Sequence, residues 1–176
     1  KLEQYVALLA KWQGSINLIS DNTLPDVWTR HIQDSLQLLD HLPQPCPHLV
    51  DLGSGAGLPG LVLAIARDGS HSLGQITMIE SDSRKSAFLR TAIRELELAD
   101  VAVINKRIED VLSLTVDCVT ARALAPLNQL LKLATPLVKP NGTLLFPKGR
   151  SYQDELDQAR QSSALPQSAE CDILGS

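Results

Sequence analysis

The stretch Asp51-Leu52-Gly53-Ser54-Gly55-Ala56-Gly57-Leu58-Pro59-Gly60 places four glycines in eight positions, directly after a short apolar run over residues 49–53. Glycine enters left-handed backbone without steric cost, so the chain can turn sharply here and a ligand can come close to the backbone. An apolar helix is expected over residues 60–67, with its free N–H groups pointing back at the loop. A second strand is expected over residues 75–80, and its last residue is acidic, Glu80. Strand, glycine loop, helix and strand make a unit of ~30 residues, the length of a βαβ. An acidic residue at that end can accept hydrogen bonds from both hydroxyls of a ribose, so a nucleotide-type ligand is the expectation.

The pattern continues outward from this unit. Residues 83–98 read as a helix with Phe88, Leu89, Ala92, Ile93 and Leu96 inward, and residues 101–105 as a third strand. A fourth strand follows over residues 117–123, then a helix over residues 127–138. The turn signal Pro140-Asn141-Gly142 separates that helix from a fifth strand over residues 143–146. Such alternation predicts an α/β fold of Rossmann-like type, a mostly parallel sheet with helices on both faces. Ligands in such sheets bind at the carboxyl ends of the strands. Before it lie two helical patterns. Residues 2–12 carry Leu2, Tyr5, Val6, Leu9 and Trp12 on one side. Residues 25–42 carry Trp28, Ile32, Ser35, Leu36 and Leu39. The proline-rich residues 43–47 read as a connector. One domain is expected, with an N-terminal helical segment over residues 1–47 and a binding core over residues 48–176. The run Cys171-Asp172-Ile173-Leu174 looks like a strand beginning, so the C-terminal strands are expected to be cut short.

Composition narrows the function classes. A chain of 176 residues fits one domain, and 44% hydrophobic with 20% charged residues is a globular composition. Sixteen Lys+Arg against 20 Asp+Glu, net −4, exclude a strongly basic nucleic-acid binder but not a local basic patch. Aromatics at 3% argue against a platform that stacks several bases. Cys46, Cys118 and Cys171 form no CxxC pair and have no histidine at zinc spacing. Reduced, partly buried thiols in a cytoplasmic protein are expected, and no metal. No apolar run approaches the ~18–20 residues of a membrane span.

Two registers fit the glycines. Gly55, Gly57 and Gly60 match the GxGxxG of dinucleotide oxidoreductases. Gly53, Gly55 and Gly57, two residues after Asp51, are similar to the GxGxG of S-adenosylmethionine-dependent methyltransferases. A carboxylate here repels a pyrophosphate and attracts the ammonium of a methionyl group, which favours the second register. A nicotinamide-linked oxidoreductase and a non-catalytic nucleotide-binding regulator are the alternatives. After the third strand, Glu109 can read an adenine amino group and Ile108 can pack on the ring, or Glu109 and Asp110 are solvated. After the fourth, Arg122 stands where donor and acceptor would meet and can hold an anion, unless it is a surface ion pair. After the fifth, Lys148 and Arg150 suit phosphate contacts, or line an ordinary solvated loop. Arg84, Lys85, Arg90 and Arg94 read as a solvated helix face.

Arg30-His31-Ile32-Gln33-Asp34-Ser35-Leu36, following Asn17-Leu18 and joined to the glycine loop, to Arg122-Ala123 and to Lys148-Gly149, resembles the bacterial glucose-inhibited division protein B family. Members are small-subunit ribosomal RNA guanine-N7 methyltransferases. The resemblance spans roughly residues 15–150. It implies S-adenosylmethionine contacts at Gly53, Leu58, Ile108, Glu109 and Arg122, with Gly55 and Gly57 shaping the loop and Glu80 at the ribose. It implies a monomer acting on 16S rRNA in the small ribosomal subunit or an assembly intermediate. Arg30, His31, Lys148 and Arg150 would face the RNA, and Arg122 and Lys148 are the candidates nearest the chemistry. His31 reads first as a histidine that bridges helices.

Overall fold

The computed structural model describes residues 1–67, 73–111, 113–149 and 152–162. The strands are β1 (Cys46–Leu52), β2 (Leu73–Ile79), β3 (Val101–Ile104), β4 (Val116–Ala121) and β5 (Val138–Leu145). They pair in the order β3-β2-β1-β4-β5, and every pairing is parallel. The helices are α1 (Leu2–Gln13), α3 (Gly60–Ala66), α4 (Ser83–Glu95), α5 (Leu127–Ala134) and α6 (Tyr152–Gln161), with α2 the bent segment of residues 28–41. The expected α/β sheet is present, and its order reverses between β1 and β4, where such sheets bind ligands.

Strand side chains alternate between faces, and here both faces are covered. Leu49 of β1, Ile76 and Met78 of β2 and Cys118 of β4 join α1, α2, α3 and α4 in one apolar cluster. Val50, Leu52, Ile79, Val119 and Ala121 meet Leu130 and Ala134 of α5 in the other. The N-terminal segment therefore shares its core with the sheet. Tyr5 and Leu9 of α1 are fully buried, and Trp12 stands edge-on to Phe88 of α4 at 5.7 Å. Gln13 ties the next loop down: its Oε1 accepts from the N–H of Leu18 and Ile19, and its Nε2 donates to Ile19 O and Asp21 Oδ1. Asp82 caps α4 by accepting from the N–H of Arg84 and Lys85. Arg84, Arg90 and Arg94 are exposed and Lys85 is half-buried on that helix, close to the expected solvated face.

Several boundaries differ from expectation. β1 starts at Cys46, inside the proline-rich connector. There Gly74 lies so close to Pro47 that a Cβ would stand 2.3 Å from the Pro47 carbonyl oxygen. The helix after β3's neighbour β2 stops at Glu95, because Glu97 turns left-handed at φ 49° and Leu98 N–H reaches back to Ile93 O. Pro140-Asn141-Gly142 does not end a helix. It is a bulge inside β5, where Val116 pairs with Val138 but Cys118 pairs with Thr143 and Asn141 has φ 64°. Residues 25–42 form three pieces rather than one helix: a π turn over Trp28–Gln33, an α turn over Asp34–Leu36 and a 3-10 turn over Gln37–His41. Trp28, expected inward, is 42% exposed. α6 was not foreseen; it buries Leu156 and Ala159. Cys46 and Cys118 are free, fully buried and within hydrogen-bonding reach of each other. Cys171 and the strand expected to begin there lie outside the described residues.

Candidate active site at the carboxyl ends of the strands

The glycine loop leaves β1 with Gly53, Gly55 and Gly57 all at positive φ, 62°, 54° and 86°. The three have different reasons. A Cβ on Gly57 would stand 2.4 Å from Leu61, and one on Gly53 2.6 Å from Leu124, so both are packed shut. One on Gly55 would meet only Gly53 O at 3.8 Å, so that backbone is open to an approaching group. Leu58 is buried beneath the loop. Gly60 lies against Asp51 and Met78, so the fourth glycine serves helix–strand packing and the dinucleotide register explains nothing further.

Two carboxylates hold this loop, one from the end of β2 and one from β1. Glu80, 7% exposed at the end of β2, accepts from Gly55 N–H through Oε2 and from Asp82 N–H through Oε1, each at 2.8 Å. Each oxygen keeps a second lone pair, so the clasp is compatible with two ribose hydroxyls. Asn105 braces the same corner by donating to Glu80 O and Ser81 O. Asp51 lies deeper, under the start of α3. It is fully buried, accepting from Gly60 N–H at 3.3 Å and the Thr120 hydroxyl at 3.0 Å. Burial pushes its carboxyl up to about 6. This corrects two expectations: Asp51 offers no exposed charge to a methionyl ammonium, and the first N–H of α3 serves Asp51 rather than a ligand. Tyr5, expected only as an inner-face residue of α1, donates its hydroxyl to Ala56 O at 2.7 Å from beneath the loop. Burial pushes that hydroxyl far above the usual phenol range.

Arg122 follows β4 and is gripped by the N-terminal segment. Its Nη2 donates to Arg30 O at 2.6 Å and to His31 Nδ1 at 3.0 Å, and lies 3.5 Å from Asp34 Oδ2. Its Nη1 is enclosed and has no hydrogen-bond partner. The RHxxDSL string thus has a structural meaning: Arg30, His31 and Asp34 converge on one guanidinium, and Ser35 Oγ donates to His31 O within the same turn. Ala123 beside it holds φ 52°, an uncommon conformation for a residue with a side chain. A cleft of about 490 Å³ opens here, between residues 122–126, residues 147–149, Asp34 and Glu155.

The remaining candidates divide. Ile108 is half-buried against the α5-side cluster, and Glu109 is exposed beside it in the turn Ile108–Asp110. Arg30 is exposed, with Asp26 at 3.8 Å. Lys148 is not an outward cation: Nζ donates to Glu155 Oε2 at 2.8 Å and Ala125 O at 2.9 Å. Glu155 Oε2 also accepts from Leu127 N–H at the start of α5, so this pair joins the cleft's two walls to α6. His31 is half-buried and bridges Arg122 and Thr23, as expected of a histidine that ties helical turns together. Arg150 lies outside the described residues. Helical spacing puts Tyr5 on the inner side of α1 without pointing to the loop, and it points to neither Thr120 nor Glu155. Only Asp34 had a visible signal, its place in RHxxDSL.

An unpartnered guanidinium nitrogen, an open glycine backbone and an acidic strand end, grouped at the sheet's reversal point, suit a nucleoside carrying a carboxylate. No described helix is long and apolar enough to cross a membrane. The family model for rRNA small subunit methyltransferase G matches residues 1–174. Ribosomal RNA small subunit methyltransferase G of Paramagnetospirillum magneticum is 51% identical over 156 residues, 89% of this chain and 73% of the relative. That of Methylobacterium nodulans is 51% identical over 163 residues, covering 92% and 76%. Among solved structures, the ribosomal protein L11 methylase of Lactobacillus delbrueckii subsp. bulgaricus superposes with a TM-score of 0.60 at 17% identity, over 76% of this chain and 67% of that one. Coclaurine N-methyltransferase does so at 0.55 and 16%, over 82% and 43%. The two superpositions speak for the methyltransferase fold, while the family match and the relatives place this chain within the rRNA small subunit methyltransferase G family.

Proposed function

We propose that this chain transfers a methyl group from S-adenosylmethionine to N7 of a guanine in the 16S rRNA of the small ribosomal subunit or its assembly intermediate. The observation that carries the reading is the unpartnered, enclosed Nη1 of Arg122 after β4, with the open backbone of Gly55 after β1 and the carboxylate of Glu80 after β2 at the same edge of the sheet. These groups fit two polar parts of the donor and leave room for its approach. Arg122 would take the amino-acid carboxylate, Glu80 the ribose diol, and the Gly53–Gly57 backbone would allow close approach. Leu58 and Ile108 would pack against the nucleoside, with Glu109 near the adenine amino group. When bound, the donor supplies a methyl group on a sulfonium, electrophilic without further activation.

Guanine N7 carries a free lone pair at neutral pH, so the protein has no proton to remove before transfer. Its tasks are to orient donor and acceptor and to exclude water. The cleft beside Arg122 is the place for the acceptor base, walled by Leu124 and by the Lys148–Glu155 pair. Arg30, exposed on α2, is a candidate among the described residues to meet RNA phosphate, with Arg150, outside them, the other candidate of that kind. The N7 edge of a paired guanine lies in a deep, narrow groove, so the target is expected in an opened or looped segment. We take the protein to act as a monomer in the cytoplasm. Family membership sets aside the oxidoreductase alternative.

The test uses small ribosomal subunits from a strain lacking its own enzyme, with methyl-labelled donor. Label on N7 of a single 16S guanine is the expected result. Label on another atom or another RNA would move the acceptor assignment. Donor binding without transfer to any ribosomal particle would favour a regulator.

A further inference from the structure

We infer that His31 is a positioning residue for the donor: its neutral ring holds the Arg122 guanidinium by one nitrogen so that the other stays free for the donor's carboxylate. This rests on the function proposed above. The hydrogen bonds dictate the tautomer. A guanidinium has donors and no acceptor, so His31 Nδ1, 3.0 Å from Arg122 Nη2, must be the unprotonated nitrogen. The ring proton then sits on Nε2 and is donated to Thr23 Oγ1 at 2.9 Å. The Thr23 hydroxyl in turn donates to Ser20 O at 2.7 Å. The relay runs one way, from Arg122 through His31 and Thr23 to a backbone carbonyl, and each donor along it has an acceptor.

Both acceptors close to Arg122, the Arg30 carbonyl and the His31 ring, take Nη2, and Asp34 stands on the same nitrogen. Nη1 has none and is enclosed. A buried donor left empty costs free energy, and an incoming carboxylate removes that cost. A protonated His31 would turn an N–H toward the guanidinium N–H and end the grip. Arg122, Arg30 and Asp34 are the charged groups facing the ring, and Tyr5 is the next titratable group beyond Arg122, with Asp51 near Tyr5. Burial and Arg122 hold the imidazole below its ordinary titration range, which keeps the acceptor form in place at neutral pH.

Titration calorimetry on the whole chain, with S-adenosylhomocysteine and with 5′-methylthioadenosine, tests this. The second ligand keeps the adenosine and sulfur but lacks the carboxylate. His31→Ala is expected to weaken S-adenosylhomocysteine roughly tenfold and methylthioadenosine less than about twofold. His31→Asn, whose side-chain oxygen can stand near Nδ1, should recover most of the loss. Thr23→Val, which removes the partner of Nε2 and leaves the ring in place, should weaken only the carboxylate ligand, by about threefold. In the parent, lowering the pH until the His31 ring takes a proton, followed by its imidazole NMR signals, should weaken S-adenosylhomocysteine relative to methylthioadenosine, and His31→Asn should lose that dependence. Asp51 titrates in the same range in both proteins, so the difference between them isolates His31. Equal losses for the two ligands would reduce His31 to a structural role and overturn the inference, as would an unchanged or stronger S-adenosylhomocysteine complex at low pH. A parent chain that binds methylthioadenosine but not S-adenosylhomocysteine would refute the assignment of Arg122. One that binds neither would bring down the proposed function itself.

Discussion

Asp51→Asn should make the protein more stable at neutral pH, and the gain should depend on pH in a way fixed by the buried carboxyl. Asp51 is fully enclosed and titrates near 6, against an ordinary value of 3.8. The native state therefore holds its proton more tightly than the unfolded chain. By linkage, stability is highest below the unfolded value and falls as pH rises toward the folded one. A difference of about two pKa units corresponds to roughly 3 kcal/mol, fully expressed above about pH 7. About half is already lost by pH 5, so roughly 1–2 kcal/mol is lost between pH 5 and pH 8. Asn has nearly the same shape and no charge. Turned so that its oxygen accepts from Gly60 N–H, its amide can donate to the Thr120 hydroxyl, which can then donate to Val50 O. Urea unfolding of parent and variant at pH 5, 6, 7 and 8 measures the gap between them. It should widen in favour of Asn by roughly 1–2 kcal/mol over that range. A gap independent of pH would refute the argument. So would one that widened toward low pH, since it would mean a carboxylate stabilised by its site rather than penalised.

Other expectations follow from the same packing. Gly57→Ala should cost about 3 kcal/mol or more, because left-handed backbone and a contact 2.4 Å from Leu61 add together. Gly55→Ala should cost only about 1–2 kcal/mol, since its Cβ would enter open space; denaturation midpoints compare the two. Tyr5→Phe strands the Ala56 carbonyl beneath the glycine loop and should cost about 1–3 kcal/mol by the same measurement. Lys148→Ala should destabilise by about 1–3 kcal/mol, by removing the cation that ties Glu155 and Ala125 O. It should leave the salt dependence of RNA affinity unchanged, whereas a phosphate contact would lower the slope by about one.

The glycine loop and the bridge to Arg122 set two levels of organisation side by side. The loop is local: four glycines between an apolar strand and an apolar helix impose its path, and positive φ at Gly53, Gly55 and Gly57 is what that composition permits. The bridge is long-range, since Arg30, His31 and Asp34 lie about ninety residues before Arg122 in the chain. α2 is bent through π, α and 3-10 turns over those residues. Irregular helical turns of this kind gather at functional sites.

What the sequence by itself determined was the order of strands and helices, the glycine turn after β1, and the set of residues at the strand ends, Glu80, Ile108, Glu109, Arg122 and Lys148. Those follow from periodicity and from residues whose backbone preferences act locally. Tertiary structure alone decided which of those residues are free. Lys148 is drawn inward by Glu155 from a helix not foreseen. Asp51 is sealed under Gly60 and Thr120, and a turn signal at Pro140-Asn141-Gly142 is absorbed as a bulge because β5 re-pairs with β4 beyond it. The physical reason is the same in each case. A side chain's charge state and direction depend on the partners that packing brings to it, and those partners come from distant parts of the chain that spacing cannot relate.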